Sequence, residues 1–146
     1  MSGWLTPPLT DLFFAQPVAD QRHGFEAACV VTALDGDDDA IVAALTHDIA
    51  KRHCRLGVIG RSVASILIKL GVRVSDRIAT YRDHGMIGAK ELADVGAPAL
   101  AIDFAMHHQG ERPSSITPET WALLVTADQP AKAWASIRRR ITSPQT

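Results

Sequence analysis

Apolar residues recur at helical spacing along nearly the whole chain, and no stretch alternates with the two-residue period of a strand. Ile41, Ala44, Leu45, Asp48 and Ile49 fall at i, i+3, i+4, i+7 and i+8, one continuous inward stripe. Trp121, Leu124, Val125 and Asp128 repeat the pattern. Leu100 and Phe104 lead to His107 and His108, and Ala19, His23, Ala27 and Val30 set His23 among small apolar neighbours. The predicted helices cover 8–15, 18–34, 38–53, 61–71, 75–82, 84–95, a segment from Pro98 to near Gly110, 118–128, and a last segment from Pro130 to about 141. Prolines and glycines mark the breaks. The Asp35–Asp39 loop supplies capping carboxylates to the third helix, Asp83 precedes a helix opened by His84, and Thr117 caps a helix with Pro118 in its first turn. These elements predict an all-α fold, a bundle of about five to seven helices.

The same stripes carry residues that packing alone would not choose. Asp48 sits where a Leu or Val belongs, His47 borders the same interior, and Asp128 ends an otherwise apolar row. A buried charge costs several kcal/mol unless it is paired. One such residue reads as a satisfied core polar group. Four histidines and two aspartates spread over five helices leave too few nearby cations to neutralise them all. A metal ion gathers imidazoles and carboxylates better than any side chain, and a set without cysteine suits Mn, Fe, Zn, Ni or Co better than a structural zinc site. Lys51 lies one turn beyond His47.

Composition narrows the function without naming it. The chain has 146 residues, enough to bury a core without staples, and we expect one domain over 1–146. A net charge of −1 gives no electrostatic case for nucleic acid or for an acidic membrane. Cys29 and Cys54 make no disulfide framework and fit a reducing cytoplasm. No Lys or Arg precedes Arg22 and no apolar run forms a signal core, so a cytoplasmic protein is expected. No stretch reaches the roughly 20 apolar residues of a membrane span.

The order His…His-Asp…His…His…Asp resembles the HD-domain superfamily of metal-dependent phosphohydrolases. The resemblance rests on Gln21-Arg22-His23-Gly24, Ala44-Leu45-Thr46-His47-Asp48-Ile49-Ala50-Lys51, His84-Gly85-Met86-Ile87-Gly88-Ala89, Met106-His107-His108-Gln109 and Val125-Thr126-Ala127-Asp128. It spans about residues 20–130, leaving 131–146 as a C-terminal helical extension. It implies an orthogonal bundle around a central metal site. His23, His47, Asp48 and Asp128 would be the ligands common to the superfamily, and His84 and His107 the additional ligands of its dinuclear members, with Asp48 as the bridge. His108 stands as an alternative ligand, a substrate contact or a proton donor. Lys51 matches a phosphate-contacting lysine, with Ala50 where glycine is usual. The Gly-Tyr-Pro signature of the cyclic-di-GMP subgroup is missing after His108.

The expected activity is hydrolysis of a phosphate mono- or diester, of a nucleotide or similar small metabolite, by a metal-activated hydroxide. Two divalent ions about 3.5–4 Å apart suit that chemistry. Arg52, Arg55, Arg61, Arg73, Arg77 and Arg82 supply guanidinium groups, whose fork matches two phosphate oxygens. Arg61 and Arg77 are the candidate substrate contacts beside Lys51, and Asp48, Lys51 and His108 the candidate catalytic residues. Two other readings share the ligand set: an HD-type di-iron oxygenase, and a domain that senses metal and nucleotide without turnover.

Overall fold

Capping and backbone chemistry explain where each helix begins and ends. A computed structural model describes residues 3–54, 66, 70 and 83–142, the last three by backbone alone. Helix α1 (Pro7–Phe14) starts on a proline, buries Leu9 and Phe13, and stops short of Pro17. Helix α2 (Val18–Ala33) follows. Helix α3 (Asp38–Thr46) is capped by Asp37, whose carboxylate accepts from the Ala40 amide at 2.8 Å, with Asp38 and Asp39 complementing the helix dipole. Every residue of α3 from Ala40 onward is buried.

The third helix was expected to run from 38 to 53. The α-helical bonding ends instead at Thr46, and Ile49–Cys54 continues as a 3-10 helix. Side chains compete for the carbonyls here. The Thr46 hydroxyl donates to Val42 O at 2.8 Å, and His47 Nδ1 donates to Ala44 O at 3.0 Å. Such back-bonds loosen the regular ladder, and the 3-10 turn takes up the slack. His47 and Asp48 stand at the change of winding.

Helix α4 (His84–Asp94) ends in a turn with Gly96 at φ +71°, a left-handed conformation natural to glycine. Asp83 precedes α4 without capping it through its side chain. Helix α5 (Ala99–His107) follows Pro98, and α6 (Pro118–Ala127) is capped by Thr117 Oγ1, which accepts from the Thr120 amide at 3.2 Å. Asp128 closes α6, and Pro130 opens α7 (Pro130–Thr142). Among the described residues there are seven α-helices and no strand, so the expected all-α bundle holds. Of the predicted helices 61–71 and 75–82 only Ile66 and Leu70 are described, and Arg61 and Arg77 lie outside the described residues.

Helix α3 packs between α2 and α5, α4 lies against α5 and the 3-10 segment, and α6 packs on α2, α3 and α7. Val30, Val31, Leu45, Ile49, Leu92, Phe104 and Leu124 fill the space between them. Two glycines let backbones meet. A Cβ on Gly24 would lie 2.8 Å from Leu45 O, and one on Gly85 would lie 2.7 Å from Ala105 O. Each glycine follows a site histidine, His23 or His84. The closest helix contacts therefore sit where the polar residues must converge. No helix of the described residues is long and apolar enough to cross a membrane.

Candidate metal centre

Five elements deliver their polar side chains to one interior. His23 comes from α2, His47 and Asp48 from the end of α3, His84 from the first turn of α4, His108 from the end of α5, and Asp128 from the end of α6. They form two groups. In the first, His23 Nε2 and His47 Nε2 each lie 3.0 Å from Asp128 Oδ1. In the second, His84 Nε2 and His108 Nε2 each lie 3.4 Å from Asp48 Oδ1. The other Asp48 oxygen, Oδ2, faces the first group, 3.4 Å from His47 Nε2 and 4.0 Å from His23 Nε2. Asp48 divides its two oxygens between them.

Backbone carbonyls set the orientation of two rings. His47 Nδ1 pairs with Ala44 O, and His108 Nδ1 pairs with Ala105 O at 2.9 Å. A carbonyl only accepts, so Nδ1 carries the hydrogen in both rings and Nε2 is left to present a lone pair or a second proton. That is how proteins fix a metal-ligating imidazole.

Burial and charge then act on the titrating groups. Burial opposes a charge on His47, but the Asp48 carboxylate and the bond to Asp128 outweigh it and raise its pKa above the ordinary value. Burial likewise pushes the Asp48 carboxyl up, yet His47, the His108 and His84 rings and Lys51 hold it well below the usual carboxylate range. Asp128 is also lowered, because bonds from His23 and His47 overcome its desolvation. His108 moves the other way from His47. Burial lowers its pKa, and the attraction of Asp48 does not recover the loss.

The donor set fits a cation. Asp48 Oδ1 and His108 Nε2 are both sealed from solvent and neither makes a hydrogen bond, although they face each other. Facing each other in a dry interior, these two atoms are relieved by a proton or a cation between them, and a metal ion is a group that fits. An ion with bonds of about 2.1 Å needs neighbouring ligand atoms about 3.0–3.4 Å apart. The 3.0 and 3.4 Å separations match that requirement, and only His23 Nε2 to Asp48 Oδ2, at 4.0 Å, is wider. His23, His47 and Asp128, and again Asp48, His84 and His108, are two groups that could each hold a metal ion.

One expected ligand is elsewhere. His107 is exposed on the surface of α5, and the imidazole in the interior belongs to His108, whose side chain is 4% exposed. The buried residues of α5 are Ala101, Phe104 and Ala105, and continuing that i, i+3, i+4 stripe to i+7 reaches 108. The stripe through Leu100 and Phe104 admits both His107 and His108, and the family resemblance implied His107. His84, expected at an open helix mouth, is fully buried. Lys51, expected to meet phosphate, bonds Asp48 Oδ2 at 2.5 Å and is itself mostly covered.

Sequence reasoning also missed a brace beside the site. Arg52 donates to Ile49 O at 2.6 Å and pairs with Glu91 of α4 at 2.9 Å, and His53 reaches the same Glu91 oxygen at 2.7 Å. This ties the 3-10 segment after Asp48 to the helix that carries His84. Gln109 Nε2 lies 3.4 Å from His84 Nε2. Arg52 stands in the sequence only as one of six arginines between the ligand segments, and its fixed fork is what lets it serve as a clamp. Family models, curated proteins and solved structures were compared with this chain, and none matches.

Proposed function

We propose that the chain is a metal-dependent phosphohydrolase that cleaves a phosphate mono- or diester at a dinuclear centre. The observation that carries the reading is the division of Asp48, one oxygen toward each of two His/Asp groups. His23, His47 and Asp128 would hold one ion and His84 and His108 the other, with Asp48 shared. Imidazole and carboxylate without thiolate favour Mn, Fe, Zn, Ni or Co. Bound there, the pair would supply Lewis acidity toward a phosphoryl oxygen and lower the pKa of a water to near neutrality. The resemblance to HD-domain phosphohydrolases points the same way.

The chain's own groups prepare the site for an anion. With the imidazoles neutral, two carboxylates against the Lys51 ammonium leave a single negative charge, which two divalent ions would reverse. Lys51 neutralises Asp48 on its Oδ2 side and offers its remaining protons toward a phosphate oxygen. His23 and Asp128, with side chains 30% and 33% exposed, are the open members of the cluster, so the substrate approaches between α2 and α6. His47, His84 and His108 stand behind them in the interior and keep bulk water away.

The test is hydrolysis by chain purified without chelator and loaded with the metal found in it. A panel of phosphate mono- and diesters should show phosphate release that a His47→Ala/Asp48→Ala double variant lacks. Equal release by both proteins, or none by either, rejects the proposal. Turnover that requires iron and dioxygen rejects it in favour of an oxygenase.

A further inference from the structure

Asp48, His84 and His108, the second of the two groups, are closed off from solvent, yet an exposed residue reaches them. Gln109 follows His108 in the turn after α5, and its Nε2 lies 3.4 Å from Nε2 of the fully buried His84. The turn that carries it is held in place. The Gly110 amide donates to His107 O at 2.7 Å, and the Arg112 guanidinium donates to Ile116 O in the loop beyond.

The contact with His84 and metal ligation exclude each other. An Nε2 bound to an ion has neither a lone pair nor a proton for the Gln109 amide. The amide must then find another partner. Its distance from His84 Nε2 falls in the range that separates neighbouring ligand atoms on one ion, so it stands at the edge of that ion's shell. The cations nearby bond elsewhere: Lys51 sits on Asp48 Oδ2, and Arg52 holds Glu91 and Ile49 O. An amide N–H beside a cation's open position meets an electron-rich oxygen, and an anionic one binds it most strongly.

We propose that Gln109 is an anion-binding group of the second ion: freed from His84, its amide donates to an oxygen of a tetrahedral oxyanion held there. Lys51 on the Oδ2 side of Asp48 and Gln109 on the Oδ1 side then give the anion a donor from each half of the centre. The assignment rests on the reading of the centre as a metal site that takes a phosphoryl group. Anion binding itself does not need turnover.

Orthophosphate titrated into the full chain loaded with Co²⁺, and followed by visible absorption, reads this contact without any hydrolysis. Gln109→Ala should weaken phosphate binding about tenfold or more, the size of one hydrogen bond to a charged group. Gln109→Glu should weaken it further through like charge, and Gln109→Lys, which supplies a donor again, should restore it. All three should keep their cobalt, because the position is exposed and the residue is no ligand. Phosphate affinity that ignores all three changes, a lysine variant as weak as the alanine one, or cobalt lost with Gln109→Ala would overturn the proposal. Donor-dependent phosphate binding by a chain that hydrolyses no ester would uphold Gln109 and reject the phosphohydrolase. Ester hydrolysis at the parental KM in Gln109→Ala would overturn the role of Gln109 while the phosphohydrolase stood.

Discussion

The two halves of the cluster differ in how they meet their own needs. The open half, His23, His47 and Asp128, is internally satisfied, with both imidazoles at hydrogen-bond distance from one carboxylate oxygen. The sealed half, Asp48, His84 and His108, is more deeply buried, yet Asp48 Oδ1 and His108 Nε2 go without a bond. A buried polar atom without a partner costs about 1–3 kcal/mol, and water can relieve it only where water reaches. The open half can stand without an ion. The sealed half leaves donor atoms that a cation could take. Asp48 belongs to both, which makes it the hinge of the comparison.

Removing that hinge should have the largest effect. Asp48→Ala takes a ligand from both groups and leaves Lys51 without its carboxylate. Metal content should fall to none, and phosphate release should drop by more than the roughly 10–100-fold typical of losing an outer-shell partner. Retention of either metal equivalent, measured by elemental analysis, would break the proposed sharing.

Next come the adjacent histidines of α5. His108→Ala should lose the metal of the sealed half and keep that of the open half. His107→Ala, at an exposed position, should keep both and stay within about 0.5 kcal/mol of the parent in urea unfolding. The reverse ranking would return the ligand role to His107.

The glycines sharpen the comparison through the backbone. Gly24→Ala presses a methyl on Leu45 O and Gly85→Ala presses one on Ala105 O, backbone contacts that cannot swing aside. Each should cost about 1–3 kcal/mol in denaturant unfolding, as overpacked cores do. Metal affinity should suffer in the open half for Gly24→Ala and in the sealed half for Gly85→Ala.

Acidity gives the smallest and most graded separation. His47 holds its proton above the ordinary histidine value, so an incoming ion must displace it. Affinity of the open half should therefore rise with pH through and beyond about 6.5, by up to about tenfold per unit. Burial lowers the pKa of His108, so it gives up its proton at lower pH than His47 and the sealed half should show a flatter profile there. Competitive metal titrations from pH 6 to 8, with His108→Ala isolating the open half, would read the two slopes. Equal slopes would remove the electrostatic distinction.

Much of this was legible in the chain because polar residues in apolar stripes are conspicuous. His23, His47, Asp48, His84 and Asp128 stand out by residue type against helical periodicity, and the structure brings all five side chains together. The choice between His107 and His108 was not so clear. Two neighbouring residues differ by about 100° around the helix, and fixing the stripe requires knowing that Ala101 and Ala105, rather than Leu100, face inward. Alanines mark a face weakly. The unwinding at Thr46 was hidden for another reason. It depends on a hydroxyl and an imidazole taking backbone carbonyls, which leaves the apolar period intact. The Ala44 and Ala105 carbonyls that orient the rings carry no residue signature at all. The Arg52–Glu91 brace joins positions nearly forty residues apart, beyond the reach of any local pattern.

The most direct test is titration of chelator-stripped protein with Co²⁺, followed by visible absorption. The account predicts saturation at about two equivalents, in two resolved phases, with one phase missing in His108→Ala and both missing in Asp48→Ala. A chain that takes up no cobalt at stoichiometric concentration, or whose spectrum is unchanged by either substitution, would contradict it.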